Sequence, residues 1–209
     1  KLSKFHESKN LCLVSSCTIG LDIALSILPE NSEIITTPYS YVATLNSILW
    51  KNLKPIFVDV KENTFNINED KIEEKITKNT SAIVATHVYG FPCNHRKIKK
   101  IARKYGLKII YDAAHCFGIK QDNKFISSFG DLNVLSLHAT KVMHSIEGGI
   151  IFTKNKKLIK TMRLRSQFGH IGDHYLDIGI NAKLSELHSI IGIEVFKEYP
   201  KIRLQRKKV

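Results

Sequence analysis

Cysteine is scarce in this sequence and never paired. Cys12, Cys17, Cys93 and Cys116 stand apart in apolar or small-residue settings, without CxxC spacing. That excludes a zinc module and a dense disulfide framework, and it fits free thiols in a reducing compartment; no metal is expected. Long apolar runs are missing too. None approaches the roughly 20 residues of a membrane-spanning helix, and the opening KLSKFHESKN has no apolar signal core. A cytoplasmic protein with no membrane partner is expected. The opening also lacks Met, and the last residues run out in a basic helix, so the chain reads as a piece of a longer protein. Acidic residues are few, 19 against 32 Lys and Arg, which leaves a formal net charge of +13. Such an excess raises nucleic acid or another polyanion as a partner. The basic residues, however, are mostly lysines dispersed along expected helices, as at Lys97, Lys99 and Lys100 or Lys156, Lys157 and Lys160, with a further group from Arg203 to Lys208. RRM, zinc-finger and helix-turn-helix signatures are absent, so a solvated basic surface is the simpler reading and no nucleic acid is expected.

What is present is an alternation of short apolar runs and helical periods. Strands are expected at Leu11–Ser15, Glu33–Thr37, Pro55–Val60, Ser81–Val88 and Leu107–Tyr111. Between them lie helical stretches: Thr18–Leu28, Tyr41–Lys51 with Ser40 as cap, a charged helix Asn68–Thr77, and a helix from Asn94 to Tyr105 stopped by Gly106. Strands alternating with helices for over 100 residues argue for right-handed βαβ units, hence an α/β fold with a mostly parallel sheet. After Asp112 the rhythm changes. Asp122-Asn123 marks a hairpin-like turn, Val134–His138 and Gly149–Phe152 read as strands, Leu158–Ser166 as a helix and Arg165–Asp177 as an ordered polar loop. A long amphipathic helix then follows Asn181, with Leu184, Leu187, Ile190, Ile191 and Val195 on one face and a break at Pro200.

The stretch from Leu107 to Gly149 carries the chemistry. One apolar run delivers Asp112; a second delivers Ser136 and, just beyond it, Lys141. In open α/β sheets ligands bind at the carboxyl ends of the strands. A carboxylate and a lysine meeting there suit pyridoxal phosphate, the lysine as a Schiff base and the carboxylate against the pyridine nitrogen. Each residue alone has a plainer reading: Lys141 as a surface lysine, Asp112 as a cap for the turn that follows, His115 as a structural histidine. The break at Ser15–Thr18 before a helix can hold a phosphate on its open N–H groups, or be a simple N-cap. Tyr41 can stack on an aromatic ligand or merely pack.

Taken together and in order, SSCTIGLDIAL, TTPYSYVATLNSILW, KPIFVDV, HVYGFPCN, YDAAHCFG, SFGDLNVLSLHATK, EGGIIFT and GINAKLSELHSIIG resemble the DegT/DnrJ/EryC1/StrS sugar aminotransferases, which are fold-type-I pyridoxal-phosphate enzymes. The resemblance implies a three-layer α/β/α fold of the aspartate-aminotransferase-like kind. It implies a large cofactor domain over residues 1–181, incomplete at its N-terminus, and a helix over 182–209 leading towards a small C-terminal domain outside this chain. It places Lys141 at the lysine that carries pyridoxal 5′-phosphate, Asp112 at the pyridinium partner, His115 at the ring or its 3-hydroxyl, and Tyr41 on the ring face. Cys17 (through its N–H), Thr18 and Ser136 fall at phosphate ligands, and Asn181 at an asparagine reaching the phosphate of a neighbouring subunit in a homodimer with shared active sites. Cys17 stands where Gly or Ala is more usual, and Ala139 where Pro is common. Related dehydratases carry His in place of Lys141, so the lysine implies transamination, from an amino acid such as glutamate to a keto group of a nucleotide-linked sugar. A truncated, non-catalytic cofactor-fold domain and a basic polyanion-binding module are the alternatives.

Overall fold

The computed structural model describes residues 1–208. The sheet strands are β1 (Leu11–Val14), β2 (Glu33–Thr36), β3 (Lys54–Phe57), β4 (Thr80–Thr86), β5 (Lys108–Asp112), β8 (Leu132–Ser136) and β9 (Gly149–Phe152). Two small hairpins are formed by β6 (Lys120–Gln121) with β7 (Lys124–Phe125), and by β10 (His170–Ile171) with β11 (His174–Tyr175). The helices are α1 (Leu2–Phe5), α2 (Cys17–Leu25), α3 (Val42–Trp50), α4 (His95–Tyr105), α5 (Lys156–Arg165) and α6 (Glu186–Lys207). The seven strands run in the order β1-β9-β8-β5-β4-β2-β3. Five of them, β3 to β8 in that order of pairing, are parallel; β9 is antiparallel to β8 and to β1. The parallel core follows from the βαβ rhythm. The antiparallel edge comes from the return after Lys141, which is too short for a crossover helix.

Side chains of successive strand residues point to opposite faces, and both faces are covered. Ile34, Ala82, Val84 and Ile110 pack with Leu21, Leu25 and Ile48 of α2 and α3 and with Met162 of α5. Their neighbours Ile35, Ile83, Ala85 and Ile109 pack with Ile98 and Ile101 of α4. Beyond β8, Leu135, Ile150 and Phe152 lie under an aromatic cluster, with Phe5, Phe117, Phe196 and Tyr199 against them. Each buried Ile or Leu contributes about 1.5–3 kcal/mol, and these clusters hold a helical layer against each face of the sheet.

Local signals explain the element ends. The Ser16 side chain accepts from the Ile19 N–H to start α2, and Asn94 accepts from the Lys97 N–H to start α4. Gly106 ends α4 with φ 67°, a left-handed turn that glycine adopts without a Cβ clash. Asp122 and Asn123 both take positive φ, as a tight two-residue hairpin turn requires. The outward basic groups of α4 are tied sideways, Lys97 to Asp70 at 2.8 Å and Lys104 to Glu73 at 2.6 Å, which is how a solvated basic face looks. No helix among the described residues is long and apolar enough to cross a membrane.

Several expected elements differ. The charged helix over 68–77 is instead two separate 3-10 turns, Glu69–Lys71 and Glu73–Lys75. Burial of Ile67 and Ile72 in the core, and the bond of buried Glu69 to Asn94, lay the segment flat on the sheet. The expected break at Pro200 does not occur: α6 runs through it to Lys207. Proline removes one intrahelical hydrogen bond, but Tyr199, buried in the aromatic cluster with its hydroxyl on the Phe117 carbonyl, holds the turn in place. Ser40 does not cap α3; Tyr41 stands at the cap position without a side-chain bond. The loop after Arg165 contains the β10–β11 hairpin.

Candidate active site

The strands deliver their polar groups to one edge. Asp112 is the last residue of β5, Ser136 of β8 and Thr86 of β4, so all three stand at the carboxyl end of the parallel sheet, where α/β folds bind ligands. There they border a crevice of about 680 Å³. Cys17, Thr18, Tyr41, Asp112, His115, Ser136 and Lys141 all line it. Asn181 does not; it is exposed, in a bridge with Gln167.

Asp112 is buried, and both of its side-chain partners are neutral donors. The Thr44 hydroxyl donates to Oδ2 at 2.6 Å and the Ala114 N–H to Oδ1 at 3.1 Å. The second bond is the cap reading of Asp112, which coexists with its place in the crevice. Since the Thr44 proton is committed to the carboxylate, Ser40 must donate to Thr44 at 2.7 Å, and Thr86 to Ser40 at 3.0 Å. Three hydroxyls in file thus point their protons towards Asp112. Sequence reasoning missed Thr44, Ser40 and Thr86. A signal existed for one of them: Thr44 follows Tyr41 by three residues in the first turn of α3, so the two share a face.

At the start of α2, Ser16 satisfies only Ile19. The N–H groups of Cys17 and Thr18 belong to the first helical turn, which has no intrahelical partners, and they carry the positive end of the helix dipole. Gly149 explains how closely this turn is braced: a Cβ there would lie 2.6 Å from the Ser16 carbonyl oxygen and 2.8 Å from the Cys17 nitrogen. Burial, then the Asp112 charge, push the Cys17 thiol well up, with Lys141 opposing; it is a neutral lining group rather than a nucleophile. Ser136 Oγ accepts from the His138 N–H at 3.2 Å, which leaves its own proton for a ligand.

Lys141 is half-buried in the turn between β8 and β9, its N–H donating to the His138 carbonyl at 2.9 Å. Partial burial first, and the Lys141 charge second, lower the His115 pKa, with Asp112 opposing. His138 and Glu147, 3.4 Å apart, stand at the rim with Thr140. Chemically, the arrangement offers an amine, a buried carboxylate, an anion cup of helix N–H groups plus a serine, and an aromatic ring, Tyr41, open to solvent.

The model of the DegT/DnrJ/EryC1/StrS aminotransferase family matches residues 1–209. The dTDP-4-amino-4,6-dideoxy-D-glucose transaminase of Shigella dysenteriae is 43% identical over 194 residues, 92% of this chain and 53% of that protein. The UDP-4-amino-4,6-dideoxy-N-acetyl-beta-L-altrosamine transaminase of Campylobacter jejuni is 31% identical, over 95% of this chain and 57% of its own length. The chain therefore spans about half the length of the curated relatives it matches. Among solved structures, Helicobacter pylori PseC, an aminotransferase of pseudoaminic acid biosynthesis, superposes with a TM-score of 0.88 at 30% identity, covering 95% of this chain and 56% of PseC. NtdA of Bacillus subtilis, solved with the cofactor PMP bound, gives 0.89 at 31% identity, covering 95% and 46%. With the family model matched from end to end and these relatives on the same fold, the chain belongs to the DegT/DnrJ/EryC1/StrS aminotransferase family.

Proposed function

We propose that the crevice holds pyridoxal 5′-phosphate and that the chain is the cofactor domain of an aminotransferase. The reaction moves an amino group from an amino acid, glutamate in the first instance, to a keto group of a nucleotide-linked sugar. The observation that carries this reading is the meeting of Lys141, Asp112, Ser136 and the open start of α2 in one crevice; relatives described as transaminases of dTDP- and UDP-linked sugars support the substrate class.

The residues fit the cofactor. A buried carboxylate needs a partner to offset its desolvation, and Asp112, bonded only by neutral donors, keeps acceptor capacity for a protonated ring nitrogen. The Cys17 and Thr18 N–H groups with the Ser136 hydroxyl suit a phosphate. Tyr41, 79% exposed, offers a ring face, and His115 stands where it can meet the ring or its 3-hydroxyl. When bound, the cofactor supplies an electron sink for the pair left as a proton departs from carbon. The chain supplies the rest. Lys141 Nζ holds the cofactor at rest. When free, Nζ takes the proton from the donor's α carbon as general base and returns it as general acid. Asp112 keeps the ring nitrogen protonated. His115, its pKa lowered, stays neutral at pH 7 and leaves that proton to Lys141.

We assign residues 1–181 to the large domain and α6 to the path towards a small domain. The active form is a homodimer. Ile171, Tyr175, Leu176 and Ile178 around the β10–β11 hairpin, with Leu187 and Ile190 of α6, leave apolar surface exposed beside Asn181, as a residue serving a second subunit's phosphate would be placed. The four free thiols agree with a cytoplasmic setting. The test is optical. Protein mixed with pyridoxal phosphate develops a visible absorbance band that Lys141→Ala lacks, glutamate bleaches it, and one of a panel of nucleotide-linked keto-sugars restores it. A colourless wild type sinks the reading.

A further inference from the structure

Two rings that line the crevice, Tyr39 and Tyr89, form with Phe65 beside them an aromatic file that the reaction above does not use. Tyr89 lies parallel to His115 with centroids 6.3 Å apart. Tyr39 meets Tyr89 edge-on at 6.4 Å, and their hydroxyls are bonded at 2.7 Å. Phe65 stacks on Tyr39 at 5.0 Å. The file starts at His115, which lines the crevice together with Lys141. Two of its rings sit on backbone that bulky residues seldom adopt, Phe65 at φ 57° and Tyr89 at φ 52°. Buried Asn66 holds both segments: its Nδ2 donates to the Phe91 carbonyl at 3.0 Å, and its Oδ1 accepts from the Val88 N–H at 2.8 Å. The strained backbone is thus stapled, and the rings it presents stay open to solvent, Tyr89 at 63% and Phe65 at 41%.

We propose that the Phe65–Tyr39–Tyr89 file is the nucleoside subsite of the crevice. This rests on the reading that the substrate is a nucleotide-linked sugar. A sugar presented to Lys141 carries its base outward by the length of a diphosphate and a ribose, towards the Tyr39–Phe65 end of the file. Every base offers a flat π face, and stacking on aromatic side chains tolerates any base. The hydroxyl bridge adds a polar handle. One O–H is spent between the two tyrosines, and the other remains to donate to a base carbonyl or a ribose hydroxyl.

The test is calorimetric titration of the protein, with and without cofactor, using UDP, dTDP and inorganic pyrophosphate. Wild type binds the nucleoside diphosphates more tightly than pyrophosphate. Tyr39→Ala and Tyr89→Ala each raise the UDP and dTDP Kd by about tenfold and leave pyrophosphate unchanged. Tyr39→Phe, which removes only the bridge, raises them about threefold. Tyr89→Gly, relaxed in the left-handed region, gives the same result should the alanine variant fold poorly. Unchanged nucleoside diphosphate affinity in these variants overturns the proposal. So does an equal loss of pyrophosphate binding, a wild type that binds neither nucleotide, or variants that lose only dimerisation. The cofactor band is read in the same samples. Its absence from wild type sinks the aminotransferase reading alone, whereas its retention with unchanged nucleotide binding sinks the subsite alone.

Discussion

The floor of the crevice and the flank made by the β10–β11 hairpin and α6 are built on opposite plans. On the floor, Asp112 ends a strand whose neighbours are buried, and a file of three hydroxyls from β4, the turn before α3 and α3 leads to it through Thr44. On the flank, Tyr175 is 85% exposed and Ile178 90%, and Asn181 carries no side-chain bond in the crevice. The floor is completed within one chain. The flank keeps apolar surface of the kind that another surface covers. A site made this way takes its geometry from the parallel sheet and its closure from outside.

The contrast breaks most sharply in activity. Asp112→Asn keeps the shape but removes the charge that holds a ring nitrogen protonated. Turnover in the full-length protein is expected to fall by roughly 10²–10⁴, the range of a lost acid–base contribution, with the cofactor still bound. Asn181→Ala is expected to cost less, and to act on cofactor retention rather than on the proton transfers. A retention assay by gel filtration, set beside kcat, separates the two; equal losses of kcat would erase the distinction between floor and flank.

Stability draws the same line. Ile83 is fully buried in β4, so Ile83→Ala is expected to cost about 2–5 kcal/mol through lost transfer energy and a cavity. Ile178→Ala on the flank is expected to stay within about 0.5 kcal/mol in a dilute, monomeric sample. Denaturant midpoints measure both. Ile178→Asp then sharpens the comparison by sedimentation: the monomer keeps its midpoint while any dimer weakens.

The parts legible in the sequence were those written in local signals. The strand–helix alternation outside residues 68–77, the Asn94 and Gly106 ends of α4 and the Asp122-Asn123 turn each depend on neighbouring residues, and each stands where it was expected. The residues around Asp112, Ser136 and Lys141 were also readable, because strand ends in such a sheet share one edge. What could not be read depends on distant partners. The flattening of residues 69–75 needs Asn94 and a core for Ile72; the survival of α6 at Pro200 needs Phe117; the file from Thr86 to Asp112 needs β4 beside β5. Asn181 is a different case: its backbone is held by the bridge to Gln167 and by buried Ala182 beside it, while its side chain lines no part of the crevice.

A smaller effect tests how tightly the floor is braced. Gly149→Ala places a Cβ against the backbone of Ser16 and Cys17, which cannot rotate away. Such overpacking costs about 1–3 kcal/mol, and here it also displaces the start of α2. Cofactor affinity is therefore expected to fall together with the melting temperature. Gly172→Ala at the tip of the flank hairpin meets no atom within 4 Å and has only its positive φ to strain. Its cost is expected to be about 1 kcal/mol, without change in cofactor affinity.

The last distinction is in pH. His87 stands in the lining of the crevice and is buried, its Nδ1 accepting from the Cys93 N–H and its ring stacked on Tyr111. Burial lowers its pKa from 6.5 to about 3, with His95 adding to the shift. Above pH 6.5 the ring is neutral in both folded and unfolded chains and contributes nothing to the difference. Below 6.5 the unfolded chain takes up a proton that the folded chain refuses until about pH 3, so stability falls as the pH drops through that window. The slope is about 1.4 kcal/mol per pH unit for this one group. His6, lowered to about 4 by burial, adds a second such slope between pH 6.5 and 4. His87→Gln is expected to flatten the denaturant-midpoint profile between pH 6 and 4 by about one proton's worth, whatever its effect at pH 7. A wild type whose stability is level across that range would mean that water solvates the His87 ring within the crevice wall, and that this wall is as open as the flank.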